Sequence, residues 1–283
     1  MNITGTTRVF IIVGDPVAQV RAPEVYNHLF QRHGIDAVVV PAKVSAADLA
    51  AFVKGSLLAH NLGGLWVTIP HKAAMLPLMD RCDPLAQMAG AVNAVRRNAD
   101  GSLEGALFDG VGFVDGLDHL GIAVAGRRVL VVGAGGGGHA VAAALAKRGA
   151  GRLAVFNRTE ARAAALVERL KPTFGAAVEV APSADPAGYD LIVNCTSQGL
   201  KPGDALPFDP SRVDAGAAVV DIIMTRQPTP LLQACSARGI VAYPGFEMLV
   251  HQIPPYLAFF GMTELAQTLR ADLSEVRALL APR

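Results

Sequence analysis

The sequence has few cysteines, no long apolar run and almost no net charge. Its three cysteines, Cys82, Cys195 and Cys235, are scattered without metal-ligand spacing, which predicts a reduced compartment and no disulfide framework. A net charge of +1 gives no sign of a nucleic-acid or membrane surface. No apolar stretch long enough to cross a bilayer is uninterrupted, and the N-terminus lacks the pattern of a signal peptide. These absences predict a cytoplasmic protein. The seven histidines show neither metal spacing nor a triad, so no metal is predicted.

With 283 residues, of which 52% are hydrophobic, the chain can form two domains of ordinary size. Strand and helix patterns alternate along it, which predicts an α/β protein. We expect residues 1–109 to form a substrate-binding catalytic domain, whose sheet is mixed because a hairpin joins strands 91–96 and 102–107. Residues 110–249 are expected to form a Rossmann-like NADP-binding domain with a doubly wound sheet. Two terminal helices, at 250–260 and 264–280, would place residues 250–283 back on the first domain.

A glycine loop between a strand and a helix is the most informative local pattern. Residues 128–132 read RVLVV, a buried strand, and five glycines lie in the loop that follows it: Gly133, Gly135, Gly136, Gly137 and Gly138. The first permits a tight turn, the second lets a pyrophosphate approach the backbone, and the last lets the helix pack on the strand. Since the helix N-terminus offers free N–H groups, the pattern predicts a dinucleotide site.

The end of the next strand, residues 152–156, indicates which dinucleotide binds. An NAD site places a carboxylate there, but this sequence has Asn157, Arg158 and Thr159, with Arg162 one helical turn further on. A guanidinium can bind a phosphate through two N–H groups and stack on adenine. NADP is therefore predicted. The alternative is that the two arginines are solvated charges at a helix start.

Polar residues also follow the predicted strands of the first domain. Thr68 and Lys72 follow one strand end, Asn93 lies near the start of the next, and Asp109 follows the strand at 102–107. Such groups converge readily on one small-molecule site. The alternatives are a solvated lysine at a helix start, an aspartate that caps a helix, and an asparagine that satisfies strand-end backbone.

Together these motifs, in this order, resemble the shikimate dehydrogenase family over nearly the whole chain. The matching pieces are VTIPHK (67–72), AGAVN (89–93), FDGVG (108–112), GAGGGG (133–138), NRT (157–159), NCTSQG (194–199), TPL (229–231) and MLV (248–250) followed by Gln252. Each piece alone is weakly specific, but their joint order is highly specific.

The resemblance implies an NADP-dependent enzyme that interconverts 3-dehydroshikimate and shikimate. This reaction belongs to aromatic amino acid biosynthesis, and the sequence leaves a biosynthetic and a catabolic role both open. It implies that Lys72 and Asp109 are the catalytic pair, that Asn93 and Gln252 bind the substrate's hydroxyls, and that Thr68 lines the same pocket. It places Asn157, Arg158, Thr159 and Arg162 at the 2′-phosphate, and adds Thr196, Met224 and Gly245 to the cofactor site. A hydroxyl that loses hydride must also lose a proton, and a lysine can relay that proton.

The sequence departs from the family's pattern at the substrate carboxylate. Val20 and Ala22 occupy the positions of two serines whose hydroxyls bind that group in the family. Further departures are Trp66 for an asparagine, Phe108 for a threonine and Met224 for a tyrosine. Two lost hydrogen bonds to a charged group cost roughly 1.5 to 3 kcal/mol each. We expect weak shikimate activity or a preference for a related cyclic hydroxy compound.

Several alternatives stay open. Gln19 or Arg21 could recapture the carboxylate, and a quinate-type substrate fits the same motifs. An NADP-binding sensor without turnover would also keep the cofactor site, although it has no need of an acid–base pair. A folate dehydrogenase of similar plan lacks support from the ordered motifs. The expected partner is a small cyclic hydroxy acid, with a homodimer as an open question.

Overall fold

The chain forms two compact units in the computed structural model, which describes residues 2–201, 203–224 and 228–281. The first unit comprises Met1–Phe108 and Ile253–Ala281, and the second is built on Asp109–Gln252. The C-terminal segment therefore belongs to the same unit as the N-terminal half of the chain.

The first unit contains a six-stranded sheet in the order β2-β1-β3-β5-β6-β4. Its strands are β1 (Arg8–Gly14), β2 (Ala37–Lys43), β3 (Leu62–Val67), β4 (Arg81–Cys82), β5 (Ala94–Arg97) and β6 (Leu103–Ala106). Strand β1 pairs in parallel with β2 and β3, whereas β5 is antiparallel to both β3 and β6. The predicted hairpin therefore makes the sheet mixed, as expected. Strand β4 was not predicted, because two residues carry too little periodicity.

Four helices of this unit precede the hairpin or border it: α1 (Ala22–Arg32), α2 (Leu49–Ser56), α3 (Lys72–Met75) and α4 (Pro84–Ala89). The sequence pattern after Ser45 predicts a helix through His60 with Ser45 as its N-cap, and the observed α2 is shorter at both ends. Ser45 does not cap it, because its hydroxyl instead bonds Asp48 within a turn before the helix. Helix α4 was missed, although Asp83 caps it by accepting from the Ala86 N–H at 2.7 Å.

The second unit contains a parallel six-stranded sheet in the order β12-β11-β10-β7-β8-β9. Its strands are β7 (Arg128–Val132), β8 (Arg152–Phe156), β9 (Val178–Val180), β10 (Leu191–Asn194), β11 (Ala218–Asp221) and β12 (Val241–Pro244). The helices are α5 (Asp109–His119), α6 (Gly136–Lys147), α7 (Glu160–Phe174), α8 (Pro230–Ser236) and α9 (Phe246–His251). The strand order reverses between β7 and β10, which is where open α/β sheets bind ligands.

The C-terminal part of the chain differs from the two long helices that the sequence predicted. The pattern at 250–260 divides between α9 and α10 (Ile253–Phe259), and that at 264–280 between α11 (Thr263–Ala271) and α12 (Ser274–Leu280). Pro254 and Pro255 lack the N–H groups that would continue α9, and they suit the first turn of α10. Helix α9 stays with the second unit, because Gly112 and Gly116 let it approach α5 closely, with Glu247 near the second of these glycines.

An ion pair joins two strands of the second sheet at their N-terminal ends. Arg128 donates from its guanidinium and its backbone N–H to Asp190, at distances of 2.7 and 2.8 Å. These bonds lower the pKa of Asp190 from 3.8 to about 2. The folded state thus favours the ionised form of Asp190. The stabilisation of the fold by this ion pair is therefore fully present above pH 3.8 and is lost as the pH falls through about 2.

We expect Asp190→Asn to lower the melting temperature near neutral pH by about 2–4 °C, because a half-exposed pair contributes about 1 kcal/mol. The gap between variant and parent should close as the pH approaches 2. Thermal unfolding followed by circular dichroism at several pH values checks this. Glu168→Gln, which breaks an exposed pair with Lys171 on α7, is the control and should shift the melting temperature little. A gap that stays constant with pH would contradict the assignment.

Candidate active site

The glycine loop of the second unit has the geometry that its sequence predicts. Gly133 has a φ of +110°, and a side chain there would collide with the backbone of Cys195 at 2.7 Å. A Cβ at Gly138 would collide with the Gly133 carbonyl oxygen, so this glycine lets α6 begin directly against the turn. Gly135 is exposed with open space around its α-carbon. The loop can therefore accept a phosphate close to its backbone.

Asn157 connects this loop to the next strand end. Its side-chain oxygen accepts from the Ala134 N–H at 3.0 Å, and its Nδ2 donates to the Thr159 carbonyl at 2.9 Å. Both polar atoms of the Asn157 amide thus form hydrogen bonds that fix the positions of the two loops relative to each other. The structure supports Asn157 as a residue that shapes the site.

A cleft of about 560 Å³ opens at the carboxyl ends of β7, β8, β10 and β11. Eight of the predicted cofactor residues line it: Gly133, Gly135, Asn157, Arg158, Thr159, Arg162, Thr196 and Met224. Sequence reasoning gave no role in it to several others, among them Phe156, Leu200, Ile222 and Ile223. The sequence shows that these residues are apolar but does not show that they border a cleft.

The remaining predicted cofactor residues lie beside the cleft without lining it. Gly136, Gly137 and Gly138 form the first turn of α6, and a Cβ at Gly137 would lie 2.8 Å from Ile222. Gly245 is buried behind the end of β11, where its N–H donates to the Asp221 carbonyl at 2.7 Å. Gly245 therefore supports the cleft wall from behind, and its contact with the cofactor stays a prediction.

Two arginines border this cleft with their charges available. Arg158 and Arg162 are exposed, and neither guanidinium has a hydrogen-bond or salt-bridge partner within residues 2–201, 203–224 and 228–281. Thr159 precedes α7 as its N-cap, but its hydroxyl makes no capping bond. Two guanidinium groups, a hydroxyl and a helix N-terminus therefore surround one corner of the cleft, which suits a phosphate with two negative charges.

A buried polar network below the cleft was not predicted. Asp221 accepts hydrogen bonds from the Asn194 amide at 2.9 Å and from the Thr229 hydroxyl at 2.6 Å. Asn194 in turn accepts from the backbone and hydroxyl of Thr196. Burial raises the pKa of Asp221, and its three hydrogen-bond donors oppose that shift. The network fixes Thr196 in the cleft wall.

In the first unit, backbone hydrogen bonds bring together three of the predicted substrate residues. Val92 donates to the Lys72 carbonyl at 2.9 Å, which places Lys72 beside the segment that holds Asn93. Thr68 donates its backbone N–H to the end of β1, and its carbonyl accepts from His71. The His71 ring is buried and bonds the Val44 carbonyl at 2.8 Å, so it anchors the start of α3.

Asn93 is fully buried and only half satisfied. Its side-chain oxygen accepts from the Phe108 N–H at 2.9 Å, whereas its Nδ2 has no partner among the residues that the structure describes. The alternative considered from the sequence was an asparagine that only hydrogen-bonds the backbone at a strand end. That role explains the side-chain oxygen of Asn93 but not its Nδ2. The other atom is a buried donor that a bound hydroxyl could satisfy.

Asp109 and Gln252 belong to the second unit. Asp109 is the first residue of α5 and is 7% exposed. Gln252 follows α9 and is half-buried, and its Oε1 has no hydrogen-bond partner in the described part of the chain. This burial does not match that of an exposed glutamine on a terminal helix.

Histidine, cysteine and acidic side chains can supply two other kinds of chemistry, metal binding and nucleophilic attack by a thiol. In the ranges 2–201, 203–224 and 228–281 no group of three or more histidine, cysteine or acidic residues could hold a metal ion. Burial raises the pKa of the Cys195 thiol far above its ordinary range, which disfavours the thiolate that nucleophilic attack requires. No helix among the described residues has the length and apolarity to cross a membrane.

Comparisons with known proteins agree with this arrangement. The family model of the shikimate dehydrogenase substrate binding domain matches residues 12–95, and that of shikimate / quinate 5-dehydrogenase matches residues 118–199. A shikimate dehydrogenase (NADP(+)) of Geobacter metallireducens is 41% identical over 260 residues, which is 89% of this chain and 90% of the relative. The chain belongs to the shikimate dehydrogenase family. Members of this family are NADP-dependent oxidoreductases that act on a CH–OH group.

Solved structures share the fold over nearly the whole chain. A shikimate dehydrogenase from Aquifex aeolicus has a TM-score of 0.83 at 29% identity, covering 96% of this chain and 100% of that one. A 5-ketofructose reductase of Gluconobacter sp. strain CHM43 has a TM-score of 0.81 at 29% identity, covering 94% of this chain and 98% of that one. Solved proteins with this fold are therefore named for more than one substrate.

The two groups considered as replacements for the serine hydroxyls are bound elsewhere in this family member. The Arg21 guanidinium donates to the carbonyl oxygens of Leu279 and Leu280, each at 2.6 Å, at the C-terminal end of α12. The Gln19 amide donates to the Pro16 carbonyl at 3.0 Å. Val20 and Ala22, which flank Arg21, are half-buried and offer no polar side-chain atom.

The large side chains at the other departures lie in two places. Trp66 is 3% exposed and packs against Tyr26 and Tyr256, and Phe108 contacts Tyr256 as well. Trp66 is therefore part of a buried aromatic cluster. Met224 lines the nucleotide cleft of the second unit and is 38% exposed.

Proposed function

We propose that this protein is an NADP-dependent dehydrogenase that interconverts a secondary alcohol and a ketone on shikimate or a related cyclic hydroxy compound. The observation that carries the proposal is the cleft at the strand-order reversal, where Arg158 and Arg162 have no partner among the described residues. Asn157, Arg158, Thr159, Arg162 and Thr196 would hold the cofactor. The chemistry supplied by the bound nicotinamide is hydride transfer.

The protein's own residues move the proton that accompanies the hydride. We propose that the Lys72 ammonium and the Asp109 carboxylate form the acid–base pair. In oxidation, the hydroxyl proton passes to the Asp109 carboxylate while the Lys72 ammonium stabilises the alkoxide that develops, and in reduction the Lys72 ammonium protonates the carbonyl oxygen. Asn93 and Gln252, each with an unpartnered buried polar atom, bind hydroxyls of the substrate and so orient its ring.

The substrate's acid group is the point at which this family member differs. The hydroxyl-binding residues are kept, but the carboxylate-binding hydroxyls are absent, and Arg21 and Gln19 are bound elsewhere. The likeness to a 5-ketofructose reductase, named for a keto-sugar, supports a substrate without an acid group. We propose that shikimate is a weak substrate. The three free cysteines agree with a cytoplasmic location.

We expect the double variant Val20→Ser, Ala22→Ser to raise kcat/KM for shikimate about 10- to 100-fold. It restores two hydrogen bonds to a charged group, each worth roughly 1.5 to 3 kcal/mol, and transplanted groups rarely recover the full amount. Initial rates of NADP⁺ reduction measure the effect. Val20→Ala is the matched control, since it makes space at the same position without adding a hydroxyl. Equal rates in the double variant and in this control would contradict the proposed loss of the carboxylate site.

Turnover itself separates the dehydrogenase from the alternative, a sensor that binds NADP without chemistry. The experiment follows reduced nicotinamide absorbance with shikimate, quinate and further cyclic hydroxy compounds. Turnover with any of them supports the enzyme. Tight NADP binding with no turnover across the panel would favour the sensor.

A further inference from the structure

A buried carboxylate below the nucleotide cleft takes no part in the proposed chemistry. Asp221 ends β11 and is 0% exposed, and burial raises the pKa of its carboxyl group. Within the described residues its hydrogen bonds, and no basic side chain, oppose that shift. Because a buried carboxylate without a cation costs folding free energy, we expect this one to serve the structure of the adjacent cleft.

The Asp221 carboxylate joins two walls of the cleft. Its Oδ1 accepts from Asn194 Nδ2 at 2.9 Å and from the Ile223 N–H at 3.1 Å. The Asn194 side-chain oxygen in turn accepts from the N–H and the hydroxyl of Thr196, at 3.0 and 2.7 Å. Thr196 and Ile223 both line the cleft, the first after β10 and the second after β11. One buried side chain therefore fixes both walls.

Further hydrogen bonds hold Asp221 itself in place. Its Oδ2 accepts from the Thr229 hydroxyl at 2.6 Å, and its carbonyl oxygen accepts from the Gly245 N–H at 2.7 Å. Thr229 is buried and caps α8, because its hydroxyl also accepts from the Leu232 N–H. Gly245 precedes α9. The starts of two helices thus fix the carboxylate that connects the cleft walls.

An asparagine in place of Asp221 would lose part of this network. An ionised carboxylate only accepts hydrogen bonds, and each of its two oxygens faces at least one donor. An NH₂ group in place of Oδ1 would oppose the donors of Asn194 and Ile223. In place of Oδ2 it would compete with Leu232 for the Thr229 oxygen, which could then no longer donate to residue 221.

The order of the strands places both walls on one side of the glycine loop. This loop follows β7, whose neighbours are β8 and β10, and β11 lies beyond β10. Arg158 follows β8, so it lies on the other side of the loop from Thr196 and Ile223. A dinucleotide with its pyrophosphate at the loop and its 2′-phosphate at Arg158 therefore extends its nicotinamide half along the walls that Asp221 connects.

We propose that Asp221 is a positioning residue for the nicotinamide half of the cofactor and acts through Thr196 and Ile223. It holds these two walls in the geometry that this half of the cofactor requires, and it takes no part in hydride or proton transfer. The inference rests on the proposed function, because it requires NADP to occupy this cleft.

Asp221→Asn tests the inference with three probes that contain different parts of the cofactor. The probes are NADP⁺, NAD⁺ and adenosine 2′,5′-bisphosphate, which has the 2′-phosphate but no nicotinamide half. We expect the variant to weaken both dinucleotides by the same factor, about 3- to 10-fold, the value of one hydrogen bond. Binding of the bisphosphate should be unchanged. Isothermal titration calorimetry measures all three affinities, and Arg158→Ala should instead weaken NADP⁺ and the bisphosphate and spare NAD⁺.

Asp190→Asn is the matched control, since Asp190 lies immediately before β10, at the opposite end of that strand from the cleft. It lowers stability and should leave all three affinities unchanged, so it separates a loss of stability from a loss of positioning. If Asp221→Asn does not fold, Thr229→Val takes its place, because it removes one donor to Asp221 and keeps the shape of the side chain. It should give the same pattern, and Thr173→Val, at an exposed threonine of α7, is its control.

Two results for the folded variant would overturn the inference. One is an unchanged affinity for both dinucleotides, and the other is a bisphosphate affinity weakened as much as that for NADP⁺. In either case, turnover by the parent still upholds the proposed dehydrogenase. A parent protein that binds neither dinucleotide would remove the proposed function, and the inference with it.

Discussion

Lys72→Ala is expected to lower kcat by about 10²- to 10⁴-fold, the usual contribution of a positioned general acid or base. The lysine lies at the start of α3, where its carbonyl accepts from Val92, so this backbone bond survives the loss of the side chain. The measurement is the steady-state rate with the best compound of the panel, together with the dissociation constant of NADP. We expect the second quantity to stay within about 2-fold, because Lys72 lies in the unit that does not contain the nucleotide cleft.

Lys54→Ala is the matched control, since Lys54 is an exposed lysine on α2 of the same unit. Addition of a primary amine such as methylammonium should restore part of the activity of Lys72→Ala, because the amine replaces the missing acid. The same addition should not raise the activity of the parent, which keeps its lysine. Asp109→Asn should show a similar loss without amine rescue. Near-parental turnover of Lys72→Ala would remove this residue from the mechanism.

Arg158→Ala is expected to weaken NADP binding about 10- to 100-fold and NAD binding by less than about 3-fold. The guanidinium makes charge-assisted hydrogen bonds to the 2′-phosphate, which NAD lacks, and such bonds contribute roughly 1.5 to 3 kcal/mol. Isothermal titration calorimetry with both dinucleotides at one salt concentration measures the two changes. The difference should shrink at high salt, because the residue is exposed.

Arg169→Ala provides the control for charge, since Arg169 is an exposed arginine on α7, the helix that follows Arg158, and lies outside the cleft lining. It should leave both affinities nearly unchanged. Equal weakening of NAD and NADP by Arg158→Ala would show that the arginine contacts a part common to both dinucleotides, and would refute its assignment to the 2′-phosphate.

The nucleotide unit could be predicted from the sequence because its signals are local. A buried strand, a glycine loop and a helix follow one another within twenty residues, and Arg158 follows the next strand directly. Each step is determined by neighbouring residues, so the bounds of β7 and β8 agree with the prediction, and eight of the predicted cofactor residues line the cleft. The confirmed expectations of mixed and parallel sheets also depend on local patterns, namely one hairpin and a series of strands separated by helices.

The features that were missed depend on contacts between distant segments. Nothing near Asp221 indicates that its carboxylate accepts from Asn194 and Thr229. The break between α9 and α10 had a readable signal in Pro254 and Pro255, but the close packing of α9 on Gly112 and Gly116 had none.

The central claim is that this protein keeps the catalytic lysine and aspartate of the shikimate dehydrogenase family, Lys72 and Asp109. It lacks the two serine hydroxyls that bind the substrate's carboxylate in that family, because Val20 and Ala22 occupy their positions. The most direct test is the ratio of kcat/KM for methyl shikimate to that for shikimate, measured with NADP⁺ on the unmodified protein. We predict a ratio above 1, of about 10 or more, because the serine hydroxyls that bind the carboxylate in the family are absent. A ratio well below 1 would show that the carboxylate is still recognised and would contradict the account.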